Sequence, residues 1–152
     1  MKHGIFSIIL CLLLMSSVYG QENAGINWLN IEEAEKLQLT TPDKPMFIDI
    51  YTNWCGWCKK MDTSTFLDEE VVHLINHNFI PVKLNAEQKE DIIFKNHTFS
   101  FVEAGRSGVH MLAYQLLQGQ ASYPSYVVLT AEGQVTHIIR GYKRPQELMN
   151  EL

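Results

Sequence analysis

Hydrophobic positions along the chain fall into short unbroken runs and longer stretches with helical spacing. Met46-Phe47-Ile48-Asp49-Ile50-Tyr51 is nearly all apolar and is bounded by Pro45 and by Thr52-Asn53, which predicts a buried strand. Its one charge, Asp49, needs a reason to be there. Phe79-Ile80-Pro81-Val82-Lys83-Leu84 predicts a second strand. Ser125 to Leu129 and Gln134 to Ile139 flank Ala131-Glu132-Gly133 and predict a β-hairpin. Between these runs lie helix signals. Asn30 with Glu33 three residues later has capping-box spacing and predicts a helix from about Ile31 to Leu39, ended by Thr41-Pro42-Asp43-Lys44-Pro45. A second helix begins within Cys55 to Met61. Asp68 caps a third through about Asn76, with Val71, Val72, Leu74 and Ile75 on its buried side, and Pro145 opens a short last one.

Residues 86–107 are the least regular. Ile92-Ile93-Phe94 and Thr98 to Val102 predict a small hairpin around Lys95-Asn96-His97, and Ser107 predicts the cap of a helix from Gly108 to about Leu117. The resulting order suits an α/β fold with a central mixed β-sheet flanked by helices, parallel in its early strands and antiparallel in its late hairpin.

The N-terminus changes the composition that matters. Met1-Lys2-His3, the apolar run Ile5 to Val18 and Val18-Tyr19-Gly20 have the build of a secretory signal peptide over residues 1–20, leaving one domain over 21–152. The run is short for a spanning helix, which needs ~20 residues. Of three cysteines, Cys11 leaves with the signal, so Cys55 and Cys58 remain. A pair two residues apart closes no useful loop, which excludes a disulfide-stapled miniprotein. A net charge of −5 without a basic stretch excludes nucleic acid as a partner. With 46% hydrophobic residues the domain can bury an ordinary core.

Trp54-Cys55-Gly56-Trp57-Cys58 carries the chemistry. A strand running into C-x-x-C at a helix start puts the first thiol where unpaired backbone N–H groups and the helix dipole favour a thiolate. Cys55 is then the nucleophile that forms a mixed disulfide, and Cys58, one turn further in, the thiol that resolves it. The competing reading is a zinc half-site completed by His73 and His77, which stand four residues apart on one helix.

The stretch from Asp49 to Lys59 resembles the active-site segment of thioredoxins. With Lys59-Lys60-Met61 and Thr65-Phe66 it is similar to the secreted branch related to the C-terminal domain of the periplasmic thiol–disulfide interchange proteins. The resemblance implies a thioredoxin fold and a redox-active Cys55–Cys58 disulfide with no other cofactor and no metal. It implies that Asp49, six residues before Cys55, is the buried acid that moves protons to and from the resolving cysteine, and that Lys83 is its neighbour. It makes Tyr123-Pro124 a cis-proline loop opposite the cysteines, and Trp54, Gly56, Trp57, Tyr123, Pro124 and Gly141 the surface that receives substrate. Trp57 stands where thioredoxins have proline, and residues 86–110, with Phe94, Phe99, Phe101 and Gly105-Arg106-Ser107-Gly108, are longer than the thioredoxin stretch. An added hairpin or flap is expected there. The functional expectation is an exported, monomeric, periplasmic thiol–disulfide oxidoreductase acting on protein thiols and disulfides, a reductase or isomerase rather than an oxidase. It would be fed by a membrane or exported electron donor. The alternatives are a peptide-binding module with an incidental or switch-like dithiol, and a metal carrier. Asn96-His97-Thr98 has the N-glycosylation pattern.

Overall fold

The computed structural model describes residues 25–104 and 107–152, and the expected signal at 1–20 lies outside them. Four strands form the central sheet: β1 (Met46–Tyr51), β2 (Ile80–Asn85), β7 (Ser125–Leu129) and β8 (Val135–Arg140), in the order β2-β1-β7-β8. β1 runs parallel to β2 and antiparallel to β7, and β8 is antiparallel to β7. The sheet is mixed, as the order of elements predicts.

Alternation along the strands sends side chains to two cores. Ile48 and Ile50 of β1 and Val127 and Leu129 of β7 pack with Ile31 and Ala34 of α1 (Ile31–Gln38) and with Leu112, Ala113 and Leu116 of α4 (Met111–Leu116). Phe47, Tyr126 and Val128 point the other way. They pack with Met61 of α2 (Gly56–Asp62), Val71 and Ile75 of α3 (Glu69–Asn78) and Leu148 of α5 (Pro145–Glu151). A strand covered on both faces can be almost wholly apolar, which is why β1 reads as an unbroken run.

The caps anticipated at Asn30 and Asp68 form. Asn30 and Glu33 make a reciprocal capping box, and the Asp68 carboxylate accepts from the Glu70 and Val71 N–H groups. The segment before α1 covers the outer edge of β2: Leu29 N–H donates to Pro81 O at 3.0 Å, and Lys83 N–H donates to Leu29 O at 3.0 Å. Among the described residues no helix is long and apolar enough to cross a membrane.

The insertion differs from expectation. It contains two hairpins: β3 (Ile92–Phe94) with β4 (His97–Phe99), and β5 (Phe101–Ala104) with β6 (Ser107–His110). The first turns on two residues only, Lys95 (φ 49°) and Asn96 (φ 61°). That left-handed pair is what a two-residue hairpin requires, although glycine usually supplies it. Lys95 is tied down in compensation, its N–H donating to Glu35 Oε1 at 2.8 Å and its Nζ to Gln38 Oε1 at 3.0 Å. His97 therefore belongs to a strand, and Phe101 and Val102 to the second hairpin. Ser107 caps no helix. Ser107 to His110 pairs with β5, and α4 starts at Met111 under a different cap, His110, whose Nδ1 accepts from Leu112 N–H at 3.3 Å.

Candidate active site

β1 ends beneath the chemistry. Cys55 N–H donates to Thr52 O at 3.2 Å, turning the chain from strand into α2 with Cys55 as the N-cap. Cys55 and Cys58 are joined as a disulfide with Cα atoms 5.3 Å apart. The Cys58 N–H donates to Cys55 Sγ at 3.1 Å, so a backbone dipole of the first helical turn already points at the sulfur that would carry charge after reduction. Both cysteines are only 4% exposed, whereas the flanking Trp54 and Trp57 are 66% and 62% exposed. The disulfide lies below an aromatic rim.

Each tryptophan leans on another loop. The Trp54 ring meets Tyr123 edge-on at 6.0 Å between centroids, and Trp57 meets Tyr142 at 5.3 Å. Tyr123–Pro124 is cis, and the Pro124 carbonyl accepts from Gly141 N–H at 2.8 Å, with Gly141 at φ +80°. Only glycine adopts that conformation without strain. Trp54, Trp57, Tyr123, Pro124 and Gly141 thus come together around Gly56 and the two cysteines.

Asp49 shares the face of β1 that carries Phe47 and looks toward α2. It is 2% exposed, and its Oδ2 lies 3.1 Å from Lys83 Nζ. Lys83 is also ion-paired to Asp62 at the end of α2, and its ammonium stands 5.0 Å from the Tyr51 ring centroid and 5.3 Å from that of Trp28. Burial raises the Asp49 pKa to about 6, because the loss of hydration outweighs the attraction of Lys83. Burial lowers the Lys83 pKa, but Asp49 and Asp62 more than offset this and hold it above its usual range. The arrangement leaves a buried carboxyl able to exchange a proton near neutral pH.

Asp62, Glu87, Tyr126 and Tyr142 join the site without having been singled out in the sequence. Asp62 and Lys83 are 21 residues apart and Trp54 and Glu87 33 apart, so only the fold brings each pair together. Tyr126 is the register partner of Asp49 across β1 and β7, and its buried hydroxyl has no hydrogen-bond partner among the described residues. Burial and the Asp49 charge push its pKa up. A spacing rule could have found Asp62 alone, as an acid one helical turn after Cys58.

The zinc reading finds no support in this geometry. His73 and His77 stack on each other at 5.6 Å and line a groove with Glu69, Glu70 and Met149 in which neither cysteine takes part.

A mixed sheet in the order β2-β1-β7-β8, a disulfide at the start of the helix after β1 and a cis-proline before β7 define a thioredoxin-fold protein with a C-x-x-C redox pair. Residues 12–151 match the family described as "Protein of unknown function, DUF255" (Thioredox_DsbH), and the chain belongs to that family. It is 35% identical over 66 residues to spermatogenesis-associated protein 20 of Rattus norvegicus, a match covering 43% of this chain and 8% of that protein. It is 31% identical over 67 residues to the thiol:disulfide interchange protein DsbD of Campylobacter jejuni, covering 43% of this chain and 12% of the relative. The chain therefore spans a small part of these longer relatives. Among solved structures, a thioredoxin from Thermus thermophilus aligns with a TM-score of 0.60 at 14% identity, over 84% of each chain. The oxidised C-terminal domain of DsbD from Neisseria meningitidis aligns with a TM-score of 0.54 at 19% identity, over 78% of this chain and 86% of that one. The resemblance to thioredoxin-like interchange proteins holds, and with it the fold.

Proposed function

We propose that the chain is an exported protein thiol–disulfide oxidoreductase, working through Cys55 and Cys58 as a reductase or isomerase. One observation carries the reading: the disulfide caps α2 beneath a tryptophan rim, on the strand–helix unit that also holds a buried carboxyl with a pKa of about 6. In the reducing direction the Cys55 thiolate attacks one sulfur of a substrate disulfide. That bond breaks, the departing substrate sulfur takes a proton, and a Cys55–substrate disulfide forms. Cys58, its proton passed to Asp49, then attacks Cys55 Sγ, which releases the second substrate thiol and restores the Cys55–Cys58 disulfide. Two electrons pass from the pair to the substrate. A second dithiol, on an exported or membrane-bound donor, returns them, and the pair itself is the redox group without a further cofactor. The apolar start of the sequence supports export, and similarity to a thiol:disulfide interchange protein supports exchange chemistry at the Cys55–Cys58 pair.

The test is the reduction of insulin by dithiothreitol, monitored by turbidity. Catalysis is expected in the parent protein, background rate in Cys55→Ser, and covalently trapped substrates with Cys58→Ser. A reduction potential near −270 mV, the thioredoxin value, supports the reductase, and one near −120 mV reverses the direction. A second reading, a peptide-binding module with a redox switch, is favoured by the small exposure of both sulfurs beside two exposed tryptophans. Absence of insulin reduction in the parent protein would select it.

A further inference from the structure

The insertion places a second surface against the disulfide. Trp54, the residue before Cys55, forms one wall of a groove of about 470 Å³ whose other lining residues are Glu87, Lys89, Phe101, Glu103, Ser107 and Gly108. Four of these lie on the β5–β6 hairpin, within the stretch 86–110 that the resemblance makes longer than its thioredoxin counterpart. Resting on the proposed exchange chemistry, we infer that this groove is a substrate subsite. It takes an extended polypeptide segment that carries an arginine or lysine beside the cysteine under attack.

The occupant follows from continuity and charge. The groove runs from the tryptophan that adjoins the nucleophile, so a chain whose cysteine reaches Cys55 lays its neighbouring residues along it. Trp54 is held in place by Glu87, both of whose carboxylate oxygens lie 3.0 Å from the indole Nε1–H. The indole's polar edge is thereby occupied, and its face remains for an aliphatic stem or a guanidinium plane. Among the described lining residues Lys89 is the one cation, and its Nζ sits 3.2 Å from the centroid of the Phe101 ring. Two carboxylates, Glu87 and Glu103, against this single ammonium leave the described lining net acidic, on a chain whose net charge is −5. A basic substrate side chain gains there, and an acidic one meets like charge. Gly108 keeps the groove's shape. A Cβ on it would stand 2.2 Å from Phe101 Cζ and 2.5 Å from the Val102 carbonyl, so only glycine lets the Phe101 ring cross β6.

The experiment uses two synthetic peptide disulfides that differ only in arginine or glutamate three residues from the cysteine, with the small disulfide DTNB reduced alongside by the parent protein. The expected result is a kcat/KM about fivefold higher for the arginine peptide, falling with added salt. Glu103→Lys, a change at an exposed strand position, should erase or invert that preference. Equal rates for the two peptides while DTNB is turned over would overturn the subsite and leave the exchange chemistry standing, as would a preference that survives Glu103→Lys unchanged. Failure to reduce DTNB as well as both peptides would overturn the exchange chemistry and the subsite together.

Discussion

Five of the six residues of β1 are buried, whereas three of the four in β5 are exposed, yet Trp54, in the loop that follows β1, lines one groove with β5. β1 is clamped between β2 and β7 and sends side chains into both cores. Among the described residues the β5–β6 hairpin pairs only with itself and supplies no member of either hydrophobic cluster, and it is anchored at its base by buried His110, whose N–H donates to Ala86 O at 2.7 Å. The strand that positions the disulfide cannot change one side chain without disturbing two packed layers. The hairpin can change its surface with little effect on the rest. The chemistry and the proposed recognition surface are thereby carried by differently constrained parts of the fold.

The strongest way to break that contrast is in the core. Phe47 stacks on Tyr126 at 5.8 Å and meets Phe66 and Phe79 at 6.4 and 6.0 Å, fully buried. Phe47→Ala should lower unfolding free energy by about 3–5 kcal/mol in urea titration. A loss below about 1 kcal/mol would mean that β1 is far less constrained than its burial implies.

A smaller effect attaches to Asp49. Its pKa is about 6 in the folded protein against 3.8 for a free carboxyl. Below both values the group is protonated in either state, and above both the folded state holds a charge that the unfolded chain solvates better. Stability from this residue therefore falls as pH rises from about 4 to about 6, by up to about 3 kcal/mol. Asp49→Asn should remove that slope and raise stability at pH 7 relative to the parent, while slowing exchange by depriving Cys58 of its proton acceptor. Denaturant curves at several pH values, run beside insulin reduction, measure both. A variant less stable than the parent at pH 7 would show that the Lys83 ion pair outweighs burial.

The sequence was legible where the causes are local. The Asn30–Glu33 capping box, the Asp68 cap, Pro145 at a first helical turn and the apolar run of β1 each act within a few residues, and each appears where the pattern puts it. The C-x-x-C pair is local as well. Tyr123-Pro124 alone reads only as a turn, and its place opposite the cysteines came from resemblance. The insertion was misread because its determinants are distant or atypical. Ser107 has the chemistry of a helix cap, but pairing with Ala104 claims it for a strand, and His110 takes over the cap. The Lys95-Asn96 turn lacks glycine and depends on Glu35 and Gln38, about sixty residues earlier, to hold it.

The smallest expected effect tests the hairpin itself. Gly108→Ala places a methyl group against the Phe101 ring and against the Val102 carbonyl. The ring can swing away, but the carbonyl belongs to the β5 backbone, so relief requires the two strands to part. Because the hairpin lies outside both hydrophobic clusters, that parting should cost about 1 kcal/mol of global stability, the low end for overpacking. Amide exchange should rise from Phe101 to Val109 and stay unchanged in β1 and β7. The displaced Phe101 ring takes Lys89 with it and opens the groove beside Trp54, so the preference for arginine over glutamate peptides should shrink while DTNB reduction continues. A fall in stability as large as that of Phe47→Ala would place the hairpin in the same cooperative unit as the core. The separation between disulfide-bearing strand and recognition surface would then no longer hold.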